Sequence, residues 1–258
     1  MLVPPEHAPI YGTIAEPLVS LGFLAARTST LELGVSALVV PQRNPLVALK
    51  QLTTLDFLSG GRIVTGVAAG WMEGEFETLG ADFAGRGRLL NEWLHLARSA
   101  FDQMPGRVHF EGEHFKVDGW LAPALVRAGG PELWVAGVSR PTVRRAAITG
   151  VWHPVALTPE QLRPLAEELR ERRADSRVVL RINVRFLGEP EPGRDERGRH
   201  AIAGPPEWVV QRLHEYVEAG CDGFVVNLDY RRPGLEERIA LFGDEVMPLL
   251  PSRIFPVS

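Results

Sequence analysis

The segment Ala136-Gly137-Val138-Ser139-Arg140-Pro141-Thr142 holds the residues best suited to binding an anion. It follows an apolar run and opens a helix. Small residues let the backbone approach a ligand, and first-turn N–H groups point outward at the positive end of the helix dipole. Ser139 adds a hydroxyl, and Arg144 sits one turn further on. The segment reads as a phosphate cradle, or else as an ordinary tight turn in which Gly137 makes the bend and Ser139 caps the helix. Other chemistries find less support. Gly66 and Gly70, with Val67-Ala68-Ala69 between them, do not give the G-x-G-x-x-G spacing of dinucleotide binding. There is no H-E-x-x-H, and His109 and His114 fall in a hairpin-like segment. Ser139 lacks a nucleophile-elbow context, so nothing points to covalent hydrolysis.

The elements that must position this segment alternate between strand and helix. A Pro-rich loop over residues 1–13 precedes a helix at 16–27, with Leu18, Leu21, Leu24 and Ala25 on one face. Residues 31–40 are a nearly continuous apolar run stopped by Pro41, the composition of a strand buried on both faces. Asn44-Pro45 starts a helix that Gly60-Gly61 ends. A strand at 62–70 leads into a loop carrying Trp71, Glu73 and Glu75, then a helix at 88–104. Residues 108–117 read as a small inserted hairpin around Gly112. Further strands are predicted at 133–136, 151–155, 178–187 and 223–228, and further helices at 139–150, 158–173, 206–219 and 235–247. Thr158-Pro159-Glu160-Gln161 has capping-box spacing. Residues 188–200 form a polar Gly/Pro/Arg loop with the composition of a mobile segment. The alternation predicts an α/β fold with a parallel sheet, either open or closed into a (β/α)8 TIM-type barrel. Six strands are recognisable where such a barrel has eight.

Composition narrows the function classes. The chain has 258 residues, 45% hydrophobic and 23% charged, which suits a globular domain rather than a disordered one. Its formal net charge of −4 argues against nucleic acid as a partner. Only Lys50 and Lys116 are lysines, and the arginines are interspersed with acids, the pattern of solvated helix faces. Cys221 is the single cysteine, so no internal disulfide can form. No run approaches the roughly 18 apolar residues of a membrane span. The first residues lack the basic and apolar regions of a signal peptide. A cytoplasmic protein with a small-molecule substrate is the expectation.

Several motifs together resemble the bacterial luciferase-like oxidoreductases. They are Leu33-Gly34-Val35-Ser36-Ala37-Leu38-Val39-Val40-Pro41-Gln42-Arg43-Asn44-Pro45, Lys50-Gln51-Leu52-Thr53-Thr54-Leu55-Asp56 and Leu58-Ser59-Gly60-Gly61-Arg62. Gly66-Val67-Ala68-Ala69-Gly70-Trp71 with Glu75-Phe76, Phe83-Ala84-Gly85-Arg86-Gly87, and Trp134-Val135-Ala136-Gly137 with Arg144-Arg145-Ala146-Ala147 complete the set. The likeness covers most of residues 4–160, and its nearest branch depends on the deazaflavin coenzyme F420. The resemblance implies a single barrel domain over 1–258 with the cofactor at the C-terminal mouth. Ser36 and Ala37 match a bulged strand, often with a non-proline cis peptide, behind the flavin-like ring. Ala69, Gly70 and Trp71 match the end of the next strand beside the ring, and Gly137, Val138 and Ser139 match the phosphate loop. Two departures stand out: Val138 replaces a usual second glycine, and no acid lies near Val151.

The resemblance also implies hydride transfer between F420 and a small organic substrate, with an FMN-dependent monooxygenase as the alternative and a non-catalytic cofactor-binding barrel as another. His153 reads as a proton donor facing the mouth, or as a capping or solvated histidine. Glu73 and Arg86 read as mouth-loop contacts for substrate or cofactor tail, or as surface charges. Trp152 reads as a pocket wall or as core, and Asn227 is a weaker candidate. Val3-Pro4-Pro5 matches a stretch that the family places after its second strand, so about 35 residues forming one βαβ unit are expected to be missing. The strands at 32–40 and 223–228 would then expose buried-type edges and favour a homodimer.

Overall fold

The computed structural model describes residues 5–195 and 197–251. The chain forms two compact units that divide after Ala136.

The first unit opens on a 3-10 turn, Pro5–His7, and a one-turn helix α1 (Ala8–Tyr11), where the sequence predicts only loop. Proline in the first turn costs no hydrogen bond there, so Pro-rich composition does not exclude short helices. Helix α2 (Pro17–Arg27) starts on a side-chain cap, Glu16 Oε2 accepting from the Val19 N–H at 2.7 Å, and buries Leu18, Leu21 and Ala25. Strand β1 (Leu33–Val39) is shorter than the apolar run, because Pro41 turns Val40–Gln42 into a 3-10 helix. Helix α3 (Pro45–Ser59) is capped as expected: Asn44 Oδ1 accepts from the Leu46 and Val47 N–H groups, and Gly60 ends it at φ +71°. Strand β2 (Ile63–Ala68) follows. Helix α4 (Glu73–Leu79) replaces the predicted loop. Glu73 and Glu75 lie in its first turn, where the dipole favours acids, and Gly80 ends it in the left-handed region.

Helix α5 (Arg86–Gln103) leads into the hairpin β3 (Gly106–Glu111) and β4 (Lys116–Leu121), which pair antiparallel. Glu92 of α5 anchors that hairpin by accepting from the His114 N–H at 2.8 Å and the Phe115 N–H at 2.7 Å. Strand β5 (Glu132–Ala136) closes the unit. The sheet order is β1–β2–β5, all parallel, with Leu33 opposite Ile63 and Val64 opposite Glu132. Its register slips between Val35 and Leu38, and the Ser36–Ala37 peptide inside that bulge is cis.

The second unit runs α6 (Arg140–Thr149), β6 (Val151–His153), α7 (Pro159–Arg172), β7 (Arg177–Phe186), β8 (Ile202–Gly204), α8 (Pro206–Glu218), β9 (Gly223–Asn227) and α9 (Leu235–Leu241). β7 pairs in parallel with β6 through Arg177 and Val178, with β9 through residues 179–183, and with β8 through residues 184–186. The Thr158–Gln161 capping box forms on α7. β8 is absent from the sequence reading: Ile202-Ala203-Gly204 is too short to show a period, although all three residues are buried. The last helix ends six residues earlier than predicted and continues as a wide turn and a 3-10 turn to Leu249.

The described residues of the 188–200 loop are more organised than its composition suggests. The Asp195 carboxylate accepts from Asn183 Nδ2, from the Arg197 and Arg199 N–H groups and from the Arg199 guanidinium. Burial raises its pKa, but these donors outweigh burial and hold the carboxyl below its ordinary value. Among the described residues no helix is long and apolar enough to cross a membrane.

Arg62 ties the start of the first sheet to α2. Its guanidinium donates to the carbonyls of Ser59 (2.6 Å), Leu31 (2.6 Å), Thr28 (2.9 Å) and Ala25 (3.2 Å). A lysine has one nitrogen and cannot reproduce the fork. Arg62→Lys is therefore expected to cost about 1–3 kcal/mol, read as a lowered denaturation midpoint. An unchanged midpoint would show that the fork contributes nothing net.

Candidate functional site

In the first unit the predicted residues gather at the C-terminal ends of β1 and β2. Ser36 and Ala37 sit in the β1 bulge, half-buried. Ala69 and Gly70 follow β2. Gly70 has φ +92°, and a Cβ there would stand 2.7 Å from side-chain atoms of both Phe76 and Val39. Only glycine fits such a place. Arg86 is not a mouth-loop contact. It is the first residue of α5, and its guanidinium donates to the Gly70 carbonyl (3.1 Å) and the Phe83 carbonyl (2.6 Å) while stacking 3.7 Å from the centre of the Phe83 ring. The reading as a ligand contact gives way to that of a clamp on Gly70. Trp71 is 52% exposed, and its ring packs against His7 at 5.3 Å and Tyr11 at 6.2 Å.

Glu73 is exposed on α4 rather than in a loop. Sequence reasoning missed the pair beside it: Glu75 is buried, and its Oε2 accepts from Gln42 Nε2 at 2.7 Å. A carboxylate two positions after the exposed Glu73 was the available signal, since α4 turns successive residues to different faces.

In the second unit Gly137, Trp152 and His153 come together. Gly137 has φ +136°, and a Cβ would stand 2.9 Å from Thr142 Oγ1. Its N–H donates to the His153 carbonyl (3.2 Å), and its carbonyl accepts from Trp152 Nε1 (2.8 Å). Gly137 therefore has no N–H to offer a ligand, contrary to its reading as a direct phosphate contact. The N–H groups of Val138, Ser139 and Arg140 have no partner among the described residues. Val138 and Ser139 are exposed. Ser139 stands at the N-cap, but its hydroxyl pairs with Thr142 Oγ1 at 2.9 Å and caps no backbone N–H. The first turn of α6 also lacks an acid. Phosphate oxygens would satisfy such a turn, so the residues present fit the group. Arg144 is turned to α7, 3.9 Å from Glu168.

Trp152 is fully buried, which makes it core rather than a pocket wall. His153 is 2% exposed, and its Nδ1 lies 2.6 Å from the Val179 carbonyl. A carbonyl only accepts, so Nδ1 carries the proton. Burial above all, with the Arg181 charge adding to it, lowers the His153 pKa to about 4. Near neutral pH the ring is uncharged and its Nδ1 proton is committed to β7. His153 is thus not set up as the proton donor that the sequence suggested. Asn227 ends β9, and its Oδ1 accepts from the Asp229 N–H at 3.1 Å, stabilising its own turn.

A family model described as luciferase-like monooxygenase matches residues 1–186. The chain is 27% identical over 147 residues to the alkanal monooxygenase alpha chain of Photorhabdus luminescens, covering 57% of this chain and 40% of that protein. It is 25% identical over 247 residues to the FMNH(2)-dependent dimethylsulfone monooxygenase of Pseudomonas fluorescens, covering 84% of this chain and 66% of that protein. It thus spans less than two thirds of either relative. Among solved structures, the coenzyme F420 dependent tetrahydromethanopterin reductase of Methanopyrus kandleri superposes with a TM-score of 0.73, over 91% of this chain and 87% of that one, at 19% identity. The α/β fold is shared across nearly the whole chain. Similar proteins therefore include both F420-dependent and FMN-dependent enzymes.

The buried histidine has a pH signature. Its folded pKa of about 4 lies below the ordinary 6.5, so between these values the unfolded chain binds more protons. Stability present above pH 6.5 is lost as pH falls toward 4, by a full amount on the order of 3 kcal/mol. In His153→Gln the fall across this window is expected to be shallower, measured by denaturant titrations at stepped pH. An identical slope in both proteins would contradict the assignment.

Proposed function

We propose, on the premise that the chain belongs to the luciferase-like monooxygenase family, that it is an oxidoreductase transferring a hydride between F420 and a small organic substrate. The observation that carries this reading is the first turn of α6. Val138, Ser139 and Arg140 present N–H groups with no partner among the described residues, no side chain caps them, and the first turn itself holds no acid. That is the environment a cofactor phosphate seeks. When bound, the ring supplies the redox chemistry, and the protein supplies binding, position and exclusion of water.

The residues divide by role. Ser36, Ala37, Ala69 and Gly70 present small side chains and a bulged backbone to the ring, and Trp71 flanks them. Val138 and Ser139, joined by Arg140, hold the phosphate. Gly137, Trp152 and Arg86 act one step back, fixing the backbone on which those residues sit. The alternative, an FMN-dependent monooxygenase, is favoured by the FMNH(2)-dependent relative that aligns with 84% of the chain.

Ser139→Asp tests the reading. It puts a negative charge beside the phosphate, and the expected cost is about 1–4 kcal/mol, or roughly 5- to 1000-fold in affinity. Glu171→Asp, on the exposed face of α7, is expected to leave affinity unchanged. Spectral titrations with F420 and with FMN read both effects, since the two chromophores absorb differently. Tight binding of either cofactor by Ser139→Asp would place the phosphate elsewhere. Failure of the unaltered protein to bind both would remove the oxidoreductase reading.

A further inference from the structure

The hairpin that follows α5 has two outer edges, and the chain treats them differently. On the β3 side the Gln103 side chain takes up the outward-facing His109. Its Oε1 accepts from the His109 N–H at 2.9 Å, and its Nε2 donates to the His109 carbonyl at 3.2 Å. His109 stands opposite Asp118 of β4. In an antiparallel ladder both residues of such a pair turn their backbone groups outward, and the pattern recurs at every second pair. Lys116, Asp118 and Trp120 therefore direct their N–H and C=O groups away from β3. On that side these groups have no partner among the described residues. An uncovered strand edge is a template for another strand.

Charge decides which strand fits. Charged side chains usually keep strand edges apart, but those of β4 alternate in sign, with Lys116 73% and Asp118 51% exposed. A second copy of β4, laid antiparallel about a two-fold axis at Val117, sets Lys116 of each copy opposite Asp118 of the other. Both residues face outward, so the same register lets their N–H and C=O groups exchange hydrogen bonds. Within each hairpin Lys116 stands opposite Glu111, and Asp118 stands opposite His109 while pairing with the Arg107 guanidinium at 2.7 Å. Each row across the four strands then runs Glu111, Lys116, Asp118, His109, and no like charges face each other. Trp120 is 76% exposed, more than any other large apolar side chain among the described residues. In this register it reaches the 112–115 turn of the other copy, where its ring leaves water. We propose that the outer edge of β4 joins two copies of this chain, with Lys116 of each paired to Asp118 of the other. The contact is distinct from the one expected at the strands 32–40 and 223–228, and it is independent of the cofactor reading.

Sedimentation velocity over a concentration series tests this. The unaltered protein is expected to pass from monomer to dimer as its concentration rises, with the dimer weakening in high salt. Lys116→Glu and Asp118→Lys each make both cross-copy pairs like-charged, and each alone is expected to weaken the dimer about 5- to 100-fold. An equimolar mixture of the two variants restores it, because every cross-copy pair in the mixed dimer again joins opposite charges. Hydrogen exchange on the unaltered protein gives a second reading. The Lys116 and Asp118 amides become protected as the dimer forms, while those of Val117 and Gly119, which face β3, do not change. A monomer at every concentration would overturn the proposal. A dimer that either variant leaves intact would do so too, since it would use another surface. So would weakening without recovery in the mixture, or a dimer in which Lys116 and Asp118 exchange as fast as in the monomer.

Discussion

Gly137 is held from both sides by the strand that follows it. Its N–H is taken by the His153 carbonyl and its carbonyl by the Trp152 indole. These two bonds set where α6 begins and which of its N–H groups stay unpaired. They are themselves anchored: Trp152 is fully buried, and His153 is fixed through Nδ1 to the Val179 carbonyl of β7. The geometry of the candidate anion site thus passes inward, from an exposed turn to the buried sheet of its unit. Substituting Gly137 would strain the turn twice, through its positive φ and through the approach of Thr142.

The first unit uses the same device at the end of β2. Gly70 has a positive φ, a Cβ would collide with Phe76 and Val39, and a side chain from another element, Arg86, donates to its carbonyl. In each unit a glycine allows a conformation closed to other residues, and a donor removes the freedom that glycine would otherwise have. Ala69 and Trp71 in one case, Val138 and Ser139 in the other, inherit their placement from that pairing. In each unit the residues next to the glycine are therefore mounted on backbone that has little room to shift.

Much of the architecture was legible from local signals. Asn44-Pro45 and Thr158-Pro159-Glu160-Gln161 open helices where they should, and the buried apolar runs are parallel strands. The signals failed where an element was shorter than a period. Ile202-Ala203-Gly204 and Ala8–Tyr11 are too brief to show one, and α4 was hidden behind two charged residues that favour a helix start as much as a loop. For the candidate site, residue type and spacing drew attention to Gly137 and Ser139 and the family resemblance to Gly70, but neither showed how their backbone is held. Arg86 and Trp152 looked like ligand contacts because sequence shows a donor without its acceptor. Their acceptors are backbone carbonyls, which every residue carries and no motif marks. His153 was misread for a related cause: only burial and the Val179 carbonyl reveal where its proton resides.

The central claim is that β6 takes up Gly137 and thereby leaves the next three N–H groups for an anion. Amide proton and nitrogen NMR shifts report this directly, followed residue by residue as FMN or F420 is added. The predicted result is that the Val138, Ser139 and Arg140 amide protons move downfield on binding, as amides do when they donate to phosphate, while the Gly137 amide barely moves. A large shift at Gly137, or none at the three residues after it while the cofactor binds, would contradict the account.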